Sequence, residues 1–175
     1  SKADAEKLFG AGFTLSKLKE LSQTGQFASN EKIKLAGPSG EIDSIRILGP
    51  YREKTQVEIS ATDAKKLGIN PPVRNSGDLA GSAGGKIIGP AGQVDLREGV
   101  IIALRHLHLD PGSAEKLGLK DGDKVKVDIG GKRDLLYENV LVKVRADFRP
   151  ALHIDTDEAN AAGIDENNNT GEIIV

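Results

Sequence analysis

One nine-residue pattern recurs along the chain and narrows the folds open to it. Ser60-Ala61-Thr62-Asp63-Ala64-Lys65-Lys66-Leu67-Gly68 aligns with Asp110-Pro111-Gly112-Ser113-Ala114-Glu115-Lys116-Leu117-Gly118. Both align with Asp155-Thr156-Asp157-Glu158-Ala159-Asn160-Ala161-Ala162-Gly163. Each opens on a residue that can cap a helix, has Ala fifth and ends in Gly ninth. Ser1 to Gly10 is a fourth copy with one extra residue, Phe9. A cap and a terminating glycine this close leave room for a very short helix. Strand-like runs stand before the three internal copies, so the pattern reads as a set of strand-to-helix junctions.

A second repeat adds to the first. Gly37-Pro38-Ser39-Gly40 and Gly89-Pro90-Ala91-Gly92 each separate two runs rich in Val, Ile or Leu. Strands are expected at 32–36, 41–48, 55–59, 86–88, 93–95, 100–109, 124–128, 140–144, 151–154 and 172–175. Short helices are expected at 1–10, 60–68, 110–118 and 155–163, with a further one around Ser16 to Leu21. The expected fold is mainly β: two pseudo-symmetric β-barrels capped by short α-helices. Residues 1–103 form the first barrel, with a small excursion at 10–30, and residues 104–175 form the second.

Chemistry gathers at the junctions. Two residues before each internal cap stand Glu58, His108 and His153, with His106 two residues further back. These are all three histidines of the chain. Residues spaced i, i+2 on a strand share a face, so His106 and His108 can approach one ion together. The plain alternative is a pair of half-buried core histidines. With no Cys in the chain, any metal must be held by His, carboxylate and water. Glu58, His106 and His108 make a two-His, one-carboxylate set that suits Zn²⁺ with open positions. His153 either completes that site or serves a second metal. The same rule places the fourth junction's ligand just before residue 1.

Arg52, in Gly49-Pro50-Tyr51-Arg52-Glu53-Lys54-Thr55, is a candidate anion-binding residue six positions from Glu58. Arg74, ahead of the Gly-rich stretch at 81–85, is a second candidate anion contact. A net charge of −2 gives no electrostatic footing for nucleic acid. No apolar run approaches the ~20 residues of a membrane helix, and no signal peptide is visible. Walker, dinucleotide-binding and nucleophile-elbow motifs are absent.

Five segments carry a resemblance across nearly the whole chain. They are Leu21-Ser22-Gln23-Thr24-Gly25-Gln26-Phe27-Ala28, Thr55-Gln56-Val57-Glu58-Ile59-Ser60, Pro72-Val73-Arg74-Asn75-Ser76-Gly77-Asp78-Leu79, Arg105-His106-Leu107-His108 and His153-Ile154-Asp155-Thr156-Asp157-Glu158-Ala159-Asn160. In these the chain resembles the phosphotransacylase (phosphate propanoyltransferase) of bacterial microcompartments. The resemblance implies paired β-barrels and acyl transfer between coenzyme A and inorganic phosphate at a two-zinc site. One zinc would be held by Glu58, His106 and His108. The other would be held by His153 and a His-x-His pair that normally precedes the segment matching Ser1-Lys2-Ala3-Asp4, which leaves that second site incomplete in this sequence. Arg52 would bind phosphate, and Lys19, Arg46, Leu48 and Asn160 would line coenzyme A. Implied partners are acyl-CoA, phosphate, further copies of the chain in a homo-oligomer, and microcompartment core or shell proteins. The implied location is the microcompartment lumen or the cytoplasm. Phosphate would attack the thioester directly, which needs no Cys. A zinc-dependent (thio)ester hydrolase and a shell-associated module with structural zinc are the alternatives.

Overall fold

The computed structural model describes residues 1–174, so Val175, the end of the expected last strand, lies outside the described residues. The fold is mainly β with four short helices among the described residues. It divides into two compact units, Ser1–Ala103 and Leu104–Val175. No helix is long and apolar enough to cross a membrane.

The first unit holds α1 (Lys2–Phe9), β1 (Lys17–Glu20), β2 (Phe27–Ala36), β3 (Glu41–Gly49), β4 (Val57–Glu58), α2 (Ala61–Leu67), β5 (Val73–Arg74), β6 (Ala83–Ile88) and β7 (Gln93–Ala103). All its strands join one seven-stranded sheet. β2 is a hub: β3 pairs along it from Phe27↔Gly49 to Ala36↔Glu41. β1 pairs its start and β6 its end, both antiparallel. β7 is the second hub, antiparallel to β6 and parallel to β4 and β5. Leu35, Leu67 and Val100 are fully buried in a core that also takes Leu8, Ile33, Val57 and Ile87.

The second unit holds β8 (His106–Leu109), α3 (Pro111–Leu117), β9 (Lys124–Ile129), β10 (Leu135–Val144), β11 (Ala151–His153), α4 (Thr156–Ala162) and β12 (Glu172–Ile174). Its five strands run in the order β11-β8-β10-β9-β12. Leu107, Leu109, Val127, Val140 and Val142 build a separate core. Strand pairing does not close into a ring in either sheet among the described residues.

The caps account for the helices. Ser1, Ser60, Asp110 and Asp155 each accept a hydrogen bond from the backbone N–H three residues on. Gly68, Gly118 and Gly163 take the left-handed conformation that stops the helix, at φ 73°, 67° and 65°. In α4 the cap is reciprocal: Asp155 receives Glu158 N–H while Glu158 receives Asp155 N–H.

Two expectations are corrected. Residues 17–20 form an edge strand, not a helix. All four are exposed, so a helix there would bury nothing, whereas pairing with β2 supplies backbone hydrogen bonds. The expected single strand 100–109 is two strands. β7 ends at Ala103, and the chain leaves the first sheet at Leu104-Arg105 before β8 begins in the second. Leu104 therefore does not share a strand face with the histidines.

The two Gly-Pro-x-Gly turns dock helix ends in matching ways. Ser39 N–H donates to Leu67 C=O at 3.0 Å, and Ala91 N–H donates to Leu8 C=O at 2.9 Å. A Cβ at Gly37 would stand 2.3 Å from the Leu67 oxygen, and one at Gly89 would stand 2.5 Å from the Leu8 oxygen. Glycine is therefore required by close approach of backbone to backbone. Gly37→Ala is expected to destabilise the protein by about 2 kcal/mol or more in urea unfolding, through forced separation of turn and helix. Gly118→Ala, with left-handed φ but open space around it, should cost only about 1 kcal/mol. Equal costs would remove close approach as the cause.

Candidate metal centre and anion-binding loop

Strand register brings the three histidines together. In the second unit β8 lies between β10 and β11, and β11 runs antiparallel with His153 directly opposite His106. His106 and His108 share a face by their two-residue spacing, so all three imidazoles meet on one side of the sheet. Ring centroids lie 4.7 Å apart for His106–His108, 4.2 Å for His108–His153 and 5.0 Å for His106–His153. One ring nitrogen from each lies within 4.8 Å of the others.

The surroundings keep the rings of His106 and His108 neutral. His108 is 3% exposed. Burial, with His153 and His106 beside it and Lys143 and Arg145 near, lowers its pKa to about 3. Burial also lowers His106 from its ordinary value, although its hydrogen bond to Leu104 acts the other way. His106 Nδ1 lies 2.8 Å from the Leu104 carbonyl. A carbonyl only accepts, so Nδ1 carries the proton and Nε2 keeps its lone pair. A backbone carbonyl orienting one imidazole nitrogen so that the other is free is a recurrent support for metal-ligating histidine. Phe148, 7% exposed, stacks on His108 at 3.8 Å between centroids. It comes from a turn closed by Phe148 N–H to Arg145 C=O. Nothing in the order of residues singled it out.

Three neutral imidazoles are a donor set suited to Zn²⁺ and related divalent ions. Glu58 stands at the end of β4 in the first unit, where its carboxylate accepts from Gln56 Nε2. It is not among the three clustered side chains of the second unit.

The first unit gathers a polar loop around Arg52. Arg52 Nη1 donates to Ser76 Oγ at 2.9 Å. Gln56 Nε2 donates to the same oxygen at 2.8 Å, and Gly77 N–H donates to Gln56 Oε1 at 2.7 Å. Arg74 Nη1 is directed elsewhere, to Asp78 Oδ1 and the Ala80 carbonyl, both at 3.0 Å. Gln56 and Ser76 were not singled out by sequence, although Gln56 lies two residues from Glu58, just ahead of β4.

Comparison with known proteins bears on the whole chain. A family model described as phosphate propanoyltransferase matches residues 1–165. The phosphate propanoyltransferase of Thermotoga maritima is 51% identical over 175 residues, covering 99% of this chain and 81% of that protein. That of Clostridioides difficile is 45% identical, covering 93% and 78%. That of Rhodobacter capsulatus is 47% identical, covering 94% and 76%. The chain belongs to the phosphate propanoyltransferase family. The resemblance read from its five motifs is therefore a family relationship.

The remaining residues that the family resemblance marks are placed as follows. Lys19 and Leu48 both pair with Ala28 of β2, on its two flanks. Leu48 is 56% exposed, and Arg46, two residues away on the same strand, donates to the Ser29 carbonyl at 2.6 Å. Asn160 is exposed on α4 of the second unit. α4 is anchored by Tyr137 O–H to the Glu158 carbonyl and by Arg105 to the Glu158 carboxylate at 3.3 Å. Burial pushes the Glu158 carboxyl up.

The lowered imidazole values set a pH dependence. The unfolded chain takes up protons near the ordinary value of 6.5, while folded His108 resists protonation down to about 3. The unfolded state thus binds more protons across that window, and stability rises with pH. Metal-free protein should lose stability as pH falls from 6.5 toward 5, above most carboxylates. In His108→Gln the slope of stability against pH should be shallower. An unchanged slope in urea titrations would remove His108 as its source.

Proposed function

We propose that the chain is a zinc-dependent phosphotransacylase that moves a propanoyl or acetyl group between coenzyme A and inorganic phosphate. The observation that carries this reading is the cluster of three imidazoles, with His108 buried among them, in a chain of this family. The relatives' printed name, phosphate propanoyltransferase, supports phosphate as one substrate. In this reading His106, His108 and His153 hold metal, and Glu58 is a carboxylate ligand as the resemblance implies. Bound zinc supplies Lewis-acid polarisation of an oxygen.

Arg52 then captures the phosphate anion through its planar donors. A phosphate oxygen attacks the thioester carbonyl carbon, the C–S bond breaks, and coenzyme A leaves as thiolate. The products are acyl phosphate and coenzyme A, and no acyl-enzyme forms. A chain without Cys suits that direct transfer. Coenzyme A is assigned to Lys19, Arg46, Leu48 and Asn160. Arg74, already on Asp78 and Ala80, braces the loop. Paired pseudo-symmetric barrels, a homo-oligomer and a microcompartment setting belong to the same reading.

The test is metal content together with a coupled assay of propanoyl-CoA with inorganic phosphate. Activity should depend on phosphate and disappear on chelation. His106→Ala and His153→Ala should each lower bound zinc, and Glu58→Gln should too if the carboxylate is a ligand. Arg52→Ala should raise the phosphate KM about tenfold or more, the cost of one charge-assisted contact. Thioester cleavage without phosphate would show a hydrolase instead. Tightly held zinc with no turnover would show a structural module.

A further inference from the structure

The hydrogen bonds around Gln56 and Ser76 leave one donor with nowhere to go inside the loop. Gln56 has a fixed amide orientation: its Oε1 takes the Gly77 backbone N–H at 2.7 Å, and its Nε2 faces the Glu58 carboxylate and Ser76 Oγ. A backbone N–H only donates and a carboxylate accepts, so a flipped amide would face donor to donor and acceptor to acceptor. Ser76 Oγ therefore receives two donors, Gln56 Nε2 at 2.8 Å and Arg52 Nη1 at 2.9 Å. A hydroxyl has two lone pairs and one proton. With both lone pairs engaged, and neither neighbour able to accept, the Ser76 O–H is directed to an acceptor outside the trio.

The loop is built to hold that hydroxyl in place. Ser76 sits in a tight turn closed by Asp78 N–H to Asn75 C=O at 3.0 Å, with Gly77 at φ +97°. Arg74 closes the far side of the turn through Asp78 and Ala80. Arg52 spends one N–H on Ser76 and has four others for a ligand. The acceptor that suits an outward O–H beside a guanidinium is an oxyanion.

We propose that Ser76 is a substrate-binding residue whose hydroxyl donates to the phosphate held by Arg52, and that Gln56 is the positioning residue that fixes it. This rests on the phosphotransacylase reading, because it takes Arg52 as the phosphate site. It adds a second donor to that site and ties its geometry to Glu58 through a single amide. The pairing favours a tetrahedral oxyanion with several acceptor oxygens over a planar carboxylate, which the guanidinium alone would already satisfy.

The experiment uses zinc-loaded enzyme and measures KM for inorganic phosphate and for propanoyl-CoA, with calorimetric titration of inorganic phosphate as a second readout. Ser76→Ala should raise the phosphate KM about tenfold, leave the propanoyl-CoA KM unchanged and weaken phosphate binding to match. Ser76→Thr, which keeps the hydroxyl, should recover most of the loss. Gln56→Leu should raise the phosphate KM in the same direction. The double variant Arg52→Ala/Ser76→Ala should lose less than the two single losses combined. If Arg52→Ala raises the phosphate KM and Ser76→Ala does not, the inference falls and the phosphate role of Arg52 stands. If neither raises it, both fall. Equal rises in both KM values for Ser76→Ala would make the residue a general support and overturn the inference.

Discussion

The histidine cluster depends on the burial of strand β8, where only His106 is part-exposed. Leu107 and Leu109 enter the core of the second unit on one face. On the other, His108 is covered by Phe148 and faced by His153. A protonated imidazole cannot be kept there cheaply, because burial penalises the charged form and each neighbour would repel it. Neutral imidazole is the form that ligates metal. The packing that excludes water thus also prepares the lone pairs. The Leu104 carbonyl orients the ring of His106.

The short helices follow directly on the strands that carry Glu58, His108 and His153. Glu58, His108 and His153 each precede a cap by two residues, and the cap turns the chain at once into a helix. The pattern sets Glu58, His108 and His153 at or near the ends of their strands.

The junctions were legible because their cause is local. A cap, a fifth-place Ala and a ninth-place Gly act within one helix, and so did the structure that formed. His106 and His108 were legible as a pair because their spacing alone sets a common face. Their meeting with His153 was not, since it depends on β11 pairing with β8 in one register. Phe148 was invisible for a similar reason: a turn between strands delivers it. Lys17–Glu20 was read as helix because an alternating basic and apolar stretch fits either state, and only β2 decides it. The place of the Gln56 amide was not legible either, since it is set by Ser76, far along the chain, lying against it.

The docked glycine turns bear on the order in which the first unit can assemble. Leu67 meets a hairpin that precedes it in the chain, so its partner already exists when α2 is made. Leu8 meets Ala91, which a ribosome adds long after α1 has emerged. The helix that must wait has local contacts besides its cap: Asp4 accepts Lys7 at 3.0 Å within the helix, and Phe9 stacks on Phe13 at 4.5 Å just beyond it. Matching joints in space are thus unequal in time, and the early helix carries contacts of its own until its turn arrives.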